Sequence, residues 1–322
     1  MRILITGSSG TIGTRLFEQL LPHHEVIGVD NRQNRWHPYL NDHTINADLR
    51  KDGEVSSLPK NIDLVIHLAA NARVYELVKE PRLALDNMLI NFNVLEFMRE
   101  NGISKMLFAS SRETYGNIKA QGAISEEMAR IENCESPYSA SKVTGEALTR
   151  AYSKVYGLEF TIARFSNVYG MYDDSDRVIP LWIRQTLKGD DLIVYGQDKV
   201  LDFTYIDDAI DGIIRMIDWF DNVRGNTVNI AYGEGISLVS VAQRIRELLK
   251  ANNEIVIEES RPGEVWRFEA DLLKAKTLLD YQPKVGIEDG LKRTVDWYQG
   301  FYRPSNRGKD YASGTVQFSS YK

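Results

Sequence analysis

Cysteine is nearly absent from this chain of 322 residues. Cys134 stands alone, so no internal disulfide and no cysteine-rich zinc site can be built. That fits a reducing compartment. An excess of positive charge is also missing: 39 Lys+Arg against 45 Asp+Glu leave a net charge of −6. This argues against broad electrostatic binding to nucleic acid or anionic membrane, although one basic cleft is compatible with it. Long hydrophobic runs are lacking. The apolar stretch at 1–6 is short and soon meets Gly7, which excludes a signal peptide or a membrane span there. No lipidation motif, internal repeat, heptad array or low-complexity tract is seen. Together these absences predict a cytoplasmic protein with neither nucleic acid nor membrane as partner. What remains, 43% hydrophobic and 26% charged residues, suits a soluble chain that buries a sizeable core in one large unit or two lobes.

The first half alternates apolar runs with helix-length segments. The runs at 3–6, 25–29, 64–68, 105–109 and 160–163 are apolar almost throughout, as strands covered on both faces must be. Between them, 11–21, 82–101 and 138–156 read as helices, the last two stopped by Gly102 and Gly157. Such alternation predicts an α/β fold with a doubly wound parallel sheet. Farther on, 178–188 and 237–251 read as helices and 255–258 as a short strand. The expected division is a nucleotide-binding domain at 1–165, to which 203–222 returns, and a smaller C-terminal lobe at 166–202 and 223–302. A polar, loosely ordered tail is expected at 303–322.

The sharpest local signal is Thr6-Gly-Ser-Ser-Gly-Thr-Ile-Gly13, directly after the first strand. Gly7, Gly10 and Gly13 allow a tight turn, close approach of the backbone to a pyrophosphate and close packing of helix on strand. The N–H groups at the helix start would face the negative charge. Ordinary turns also carry glycines; the position between strand and helix is what points to a dinucleotide. Asp30 ends the second strand, where a carboxylate accepts hydrogen bonds from ribose hydroxyls and repels a 2′-phosphate, favouring NAD, although Arg32 stands close by. Tyr138-Ser-Ala-Ser-Lys142 then sets a phenol and an ammonium at i and i+4 on one helix face. Ser136 reads as its cap and Pro137 as its first turn. A positive charge beside the phenol favours the phenolate, so Tyr138 is expected to be a base near neutrality.

With these motifs the chain resembles the extended short-chain dehydrogenase/reductase superfamily and, within it, the NAD-dependent sugar epimerase/dehydratase family. The resemblance runs from Arg2 to about Tyr298. It also takes in Asp48-Leu49, His67-Leu-Ala-Ala70, Asn87, Ser110-Ser111, Tyr115-Gly116, Arg164-Phe-Ser-Asn167, Asp202-Phe-Thr-Tyr-Ile-Asp-Asp208 and Arg261-Pro-Gly-Glu264. It implies that Gly7, Gly10, Thr11, Ile12 and Gly13 line the pyrophosphate of NAD, with Asp30 and Asn31 at the adenosine ribose. Asp48 and Leu49 would flank adenine, Leu68, Ala69 and Ala70 would run under the cofactor, and Asn87 would stand near it. Tyr138 would take the proton of a sugar 4-hydroxyl held by Ser111, with Lys142 on the nicotinamide ribose, to give a 4-keto sugar. Asn167, Ile193, Tyr195 and Arg261 would hold the nucleotide diphosphate of the substrate. A homodimer joined through 82–101 and 138–156 as a four-helix bundle is implied as well.

Two departures bear on the reaction. Leu201 stands where many relatives carry a diphosphate-binding arginine; Lys199 is a candidate substitute, though it offers a point charge and not a fork. Arg112-Glu113 stands where simple 4-epimerases have small or uncharged residues. Relatives that dehydrate or decarboxylate the sugar carry glutamate at the place of Glu113. The dehydratases precede it with aspartate, which Arg112 replaces. The leading expectation is a UDP-sugar 4-epimerase. The alternatives are a 4,6-dehydratase or UDP-glucuronate decarboxylase using Glu113, and a nucleotide-sugar 4-dehydrogenase.

Overall fold

A strand covered on both faces needs apolar side chains at consecutive positions, and β1 (Arg2–Thr6) supplies them. Ile3 and Ile5 enter the core on one face of the sheet and Leu4 the core on the other, as the two-residue period of a strand dictates. The computed structural model describes residues 1–118 and 122–302; the tail expected at 303–322 lies outside the described residues. After β1 come α1 (Thr11–Leu20), β2 (Glu25–Asp30), β3 (Thr44–Asn46), α2 (Asp52–Ser56), β4 (Leu64–His67), α3 (Val74–Lys79), α4 (Arg82–Glu100), β5 (Lys105–Ser111), α5 (Pro137–Tyr156) and β6 (Glu159–Phe165). The chain continues through β7 (Asn167–Tyr169), α6 (Val178–Lys188), β8 (Leu192–Tyr195), β9 (Val200–Tyr205), α7 (Ile206–Asp218), α8 (Phe220–Val223) and β10 (Thr227–Ile230). It closes with β11 (Gly235–Ser237), α9 (Leu238–Leu248), β12 (Ile255–Glu258), α10 (Leu273–Leu279) and α11 (Ile287–Tyr302).

The main sheet runs β10-β6-β5-β4-β1-β2-β3 with every neighbouring pair parallel. Helices α4 and α5 pack together on one face, and α1 and α7 together on the other. The strand order turns back between β1 and β4, and the C-terminal strand ends beside that switch form the crevice where such sheets bind ligands. Two smaller sheets, β11-β9-β7 and β12-β8, lie with α6, α9 and α11. No described helix is long and apolar enough to cross a membrane.

The division read from the sequence needs one adjustment. The strand that returns to the main sheet is β10, which pairs with β6 and falls inside the 223–302 segment assigned to the smaller lobe. Within 203–222, the residues of β9 pair in the small sheet with β7, and it is α7 that packs against α1 and β6. A four-residue strand, Thr-Val-Asn-Ile, carries too little pattern to reveal which sheet it joins.

Candidate active site

β5 ends at Ser111, where the chain tightens into one helical turn. The Ser111 hydroxyl accepts the Glu113 N–H at 3.2 Å, and the Thr114 hydroxyl donates to the Ser111 carbonyl at 2.9 Å. Facing it, α5 begins with a reciprocal cap. Ser136 accepts the Ser139 N–H at 3.1 Å, Ser139 accepts the Ser136 N–H at 3.0 Å, and Pro137 fills the first turn. This start brings Tyr138, buried, beside Ser111, whose hydroxyl favours the phenolate. One turn on, Lys142 is buried and donates to the Ala109 carbonyl of β5 at 2.7 Å.

The electrostatics differ from the sequence expectation. Burial pushes the Tyr138 phenol up to about 12, opposed by the Ser111 hydrogen bond and the Arg177 charge. The Lys142 ammonium donates to the Ala109 carbonyl and lies 5.9 Å from the phenol ring centre. Burial also draws the Lys142 ammonium down to about 8, with Glu146 opposing. The i, i+4 spacing brings both groups to one face, but the buried ammonium satisfies itself on the nearest carbonyl.

On the dinucleotide side, two of the three glycines of the turn, Gly7 and Gly13, have no room for a side chain. A β-carbon on Gly7, whose φ is +73°, would lie 2.8 Å from the Ala69 nitrogen, and one on Gly13 would lie 2.1 Å from the Gly7 carbonyl oxygen. Gly10 opens α1 with no side-chain cap, so the first N–H groups of the helix face the turn, which suits a pyrophosphate. The Thr11 hydroxyl donates to the Tyr172 carbonyl at 3.0 Å, and Ile12 is half-buried. Asp30 accepts the Ser9 N–H at 3.0 Å and the Arg32 N–H at 2.9 Å, tying the end of β2 to the glycine turn. Burial raises its carboxyl, against those two N–H groups, while Asn31 and Arg32 stand exposed.

The strip Leu68–Ala70 continues from β4, held by the Leu68 N–H on the Thr6 carbonyl at 3.1 Å and the Ala69 N–H on the Thr6 hydroxyl at 3.3 Å. Asn87 is buried on α4 and clamps the next residue of that loop. Its side-chain oxygen accepts the Asn71 N–H at 2.7 Å, and its amide donates to the Asn71 carbonyl at 3.0 Å and to Ser141 at 3.2 Å. Past β3, hydrogen bonds from the Arg50 guanidinium pull the Asp48 carboxyl down to about 2. Leu49 is buried, and its carbonyl accepts from Asn93 at 2.9 Å.

The other wall of the crevice carries the remaining expected residues. Asn167 begins β7, accepts from the Arg112 guanidinium at 3.2 Å and donates to the Asp202 carbonyl at 3.1 Å. Arg112 pairs with Glu113 at 2.9 Å, both almost fully buried. Burial pushes the Glu113 carboxyl up; Arg112 and Lys199 oppose, while Glu264 and Glu135 add to the push. Lys199 is buried and its ammonium is engaged in an ion pair with Glu264; Leu201 belongs to the core. The Arg261 guanidinium lies 3.6 Å from the Tyr195 ring centre and 4.4 Å from that of Tyr75, a cation between two aromatic faces. Ile193 shares a face of β8 with Tyr195, and its carbonyl accepts from Trp182 at 3.2 Å.

Sequence reading missed Tyr75 and Asn117. Tyr75 lies on the six-residue α3, too short to show a period. Asn117 directly follows the Tyr115-Gly116 pair. It donates to the Glu264 carbonyl at 3.3 Å and accepts the Trp266 N–H at 2.8 Å, binding the loop after β5 to the Arg261 segment. Its position after that pair was the available signal.

Residues 3–231 match the family described as NAD dependent epimerase/dehydratase. A putative UDP-glucose 4-epimerase of Methanocaldococcus jannaschii is 33% identical, over 92% of this chain and 97% of that one. A UDP-N-acetyl-alpha-D-glucosaminuronate decarboxylase of Bacillus cytotoxicus is likewise 33% identical, over 92% of this chain and 98% of its own. The crystal structure of UDP-glucuronic acid 4-epimerase from Bacillus cereus with UDP-glucuronic acid and NAD superposes with a TM-score of 0.87 at 30% identity, covering 94% of this chain and 100% of that one.

Proposed function

The chain belongs to the NAD-dependent epimerase/dehydratase family, and we propose that within it the protein is a UDP-sugar 4-epimerase working through a transient 4-keto sugar. It is an NAD-dependent enzyme whose relatives are nucleotide-sugar epimerases, dehydratases and decarboxylases. The observation that carries the finer reading is the contact of Ser111 with Tyr138, set beside Glu113 that is already paired to Arg112. Ser111 and Tyr138 suffice to hold a 4-hydroxyl and move its proton. NAD, when bound, supplies the acceptor and donor for the hydrogen at C4. Gly7, Gly10, Thr11, Ile12 and Gly13 hold its pyrophosphate, Asp30 and Asn31 its adenosine ribose, and Asp48 with Leu49 its adenine. Leu68–Ala70 form the floor, which Asn87 braces, and Lys142 holds the nicotinamide ribose. Asn167, Ile193, Tyr195 and Arg261 seat the nucleotide diphosphate, Arg261 by a charge-assisted fork. The protein acts as a homodimer.

The second reading, dehydration or decarboxylation, draws on Glu113, a buried carboxylate with one oxygen unpartnered. A panel of UDP-, GDP-, CDP- and dTDP-sugars turned over in deuterated water and followed by NMR separates the two. The epimerase inverts C4 of a UDP-sugar and leaves C5 free of deuterium. Deuterium at C5, or loss of water or carbon dioxide, moves the assignment to Glu113 chemistry.

A further inference from the structure

Glu146, a buried carboxylate, lies one turn beyond Lys142 on α5. Tyr138, Lys142 and Glu146 therefore leave the helix at i, i+4 and i+8, along one stripe, and all three are buried. Lys142 and Glu146 grip consecutive residues of β5. Lys142 donates to the Ala109 carbonyl at 2.7 Å, and Glu146 Oε1 accepts the Ser110 hydroxyl at 2.6 Å. Arg164 of β6 stands opposite Ser110 in register, so the two side chains share a face of the sheet. Its Nε donates to Glu146 Oε1 at 2.9 Å and its Nη2 to Oε2 at 2.7 Å, while its Nη1 reaches the Glu126 carbonyl at 2.8 Å. The next residue of β5 is Ser111. We infer that Glu146 is a positioning residue: it fixes the end of β5 against α5, so that Ser111 lies beside Tyr138, and its carboxylate keeps the buried Lys142 ammonium charged. This rests on the proton-transfer reading of Ser111 and Tyr138 above.

An ion pair shut away from water is weak grounds for stability, since apolar side chains of similar volume often replace one without loss. This pair supplies what an apolar one cannot, a negative charge close to a buried cation. Burial favours the neutral amine of Lys142, and Glu146 opposes it. The other groups around Lys142 are neutral, of like charge, or act elsewhere. His67 of β4 is buried and held neutral, pushed down to about 3 by burial with the Lys142 charge adding. β5 offers the Phe108 ring, 5.3 Å from the ammonium, and α4 the uncharged amide of Asn87, bonded to Ser141. From α3, Leu77 packs in the same apolar cluster as Tyr138. Arg112 and Glu113, in the turn after β5, act on Tyr138 in opposite senses. Arg164 of β6 carries a like charge, which the Glu146 carboxylate neutralises.

The test titrates Lys142 itself in the NAD-loaded protein, with lysines isotope-labelled at Cε and followed by NMR; the Lys142 signal is the one lost in Lys142→Met. In Glu146→Gln, which keeps the size and can still accept from Ser110, the Lys142 midpoint falls by at least ~1 pH unit. Glu146→Asp retains the charge and holds the midpoint nearer that of wild type. Should Glu146→Gln fail to fold around an unanswered Arg164, Glu146→Gln/Arg164→Gln removes both buried charges, and its Lys142 midpoint is again lower than in wild type. A merely structural tie does not move that midpoint, so an unmoved midpoint in the folded variants overturns the inference. Turnover gives a second reading. The alkaline limb of kcat moves to lower pH together with the Lys142 midpoint, while KM stays within about 2-fold. A limb that stays in place while the midpoint moves overturns the positioning role. Inversion at C4 by the wild-type enzyme is read separately, so the epimerase assignment can fail while the hold of Glu146 on Lys142 stands, and the reverse.

Discussion

At the scale of single residues, the site combines side chains whose burial and partners oppose one another. Tyr138 is driven toward its neutral form by burial, and the Ser111 hydroxyl beside it opposes that push. If it carries the proton of the 4-hydroxyl, Tyr138→Phe lowers kcat by about 100-fold or more while the binding surface stays intact. Near wild-type turnover in a folded, NAD-binding variant removes it from the mechanism. Lys142 permits a test in the absence of substrate. Folding lowers its pKa from 10.5 to about 8, so between those values the unfolded chain holds the proton and the folded chain does not. By linkage, the penalty of burying this ammonium stands in full below about pH 8 and is lifted as pH rises toward 10.5. Lys142→Met lacks that penalty. Its stability advantage over wild type, from denaturant unfolding at pH 7 and 9.5, shrinks by on the order of 2 kcal/mol. An advantage that does not change with pH contradicts the buried-ammonium reading.

At the scale of elements, the devices most legible in the sequence are those in which one residue type answers one geometric demand. The glycine turn is of this kind. Gly13→Ala forces a β-carbon against the Gly7 carbonyl, whereas Gly53 on α2 has nothing within 4 Å of the same atom. Gly13→Ala therefore weakens NAD binding at least ~10-fold and costs about 1–3 kcal/mol of stability, while Gly53→Ala leaves NAD affinity unchanged; fluorescence titration and thermal melts of the two variants check this. Both ends of α5 were equally legible, because Ser136 and Pro137 at its start and Gly157 at its end each carry a backbone preference that needs no tertiary partner. The helix 178–188 and the short strand 255–258 fall where the sequence reading places them. The short strands β3, β7 and β11 did not announce themselves, since three residues hold no period. Helix α11 carries a buried stripe, Leu291, Val295 and Tyr298, that the sequence reading passed over in favour of the polar tail after it. The orientation of Lys142 toward Ala109 was not legible either. Spacing sets which face a side chain leaves from, and local partners decide where its charge goes.

At the scale of the whole molecule, the sheet has two cores but one of its helical layers is incompletely covered. The layer of α1 and α7 is closed by the smaller sheets and helices, whose residues join the same core. The layer of α4 and α5 is not closed in this way. Leu85, Leu89 and Phe92 on α4 are 58%, 40% and 44% exposed and follow one another at i, i+4 and i+7, an apolar stripe on one helix face. Beside it α5 exposes Ala147, Ala151 and Val155 at the same kind of spacing, small residues that admit large ones from a partner. A two-fold axis between copies would set the α4 stripe of each against the α5 stripe of the other, in a self-complementary interface of four helices. Light scattering after gel filtration then gives twice the 36.7 kDa of one chain. Leu89→Asp places a charge in the middle of the stripe, where it must be desolvated against apolar neighbours, and weakens the dimer by at least ~100-fold, on the order of 3 kcal/mol. Because Leu89 is exposed in the single chain, the same variant should melt as a monomer without disturbance of the sheet and still bind NAD. A wild-type monomer at micromolar concentration removes the homodimer, and a dimer indifferent to Leu89→Asp places its interface elsewhere.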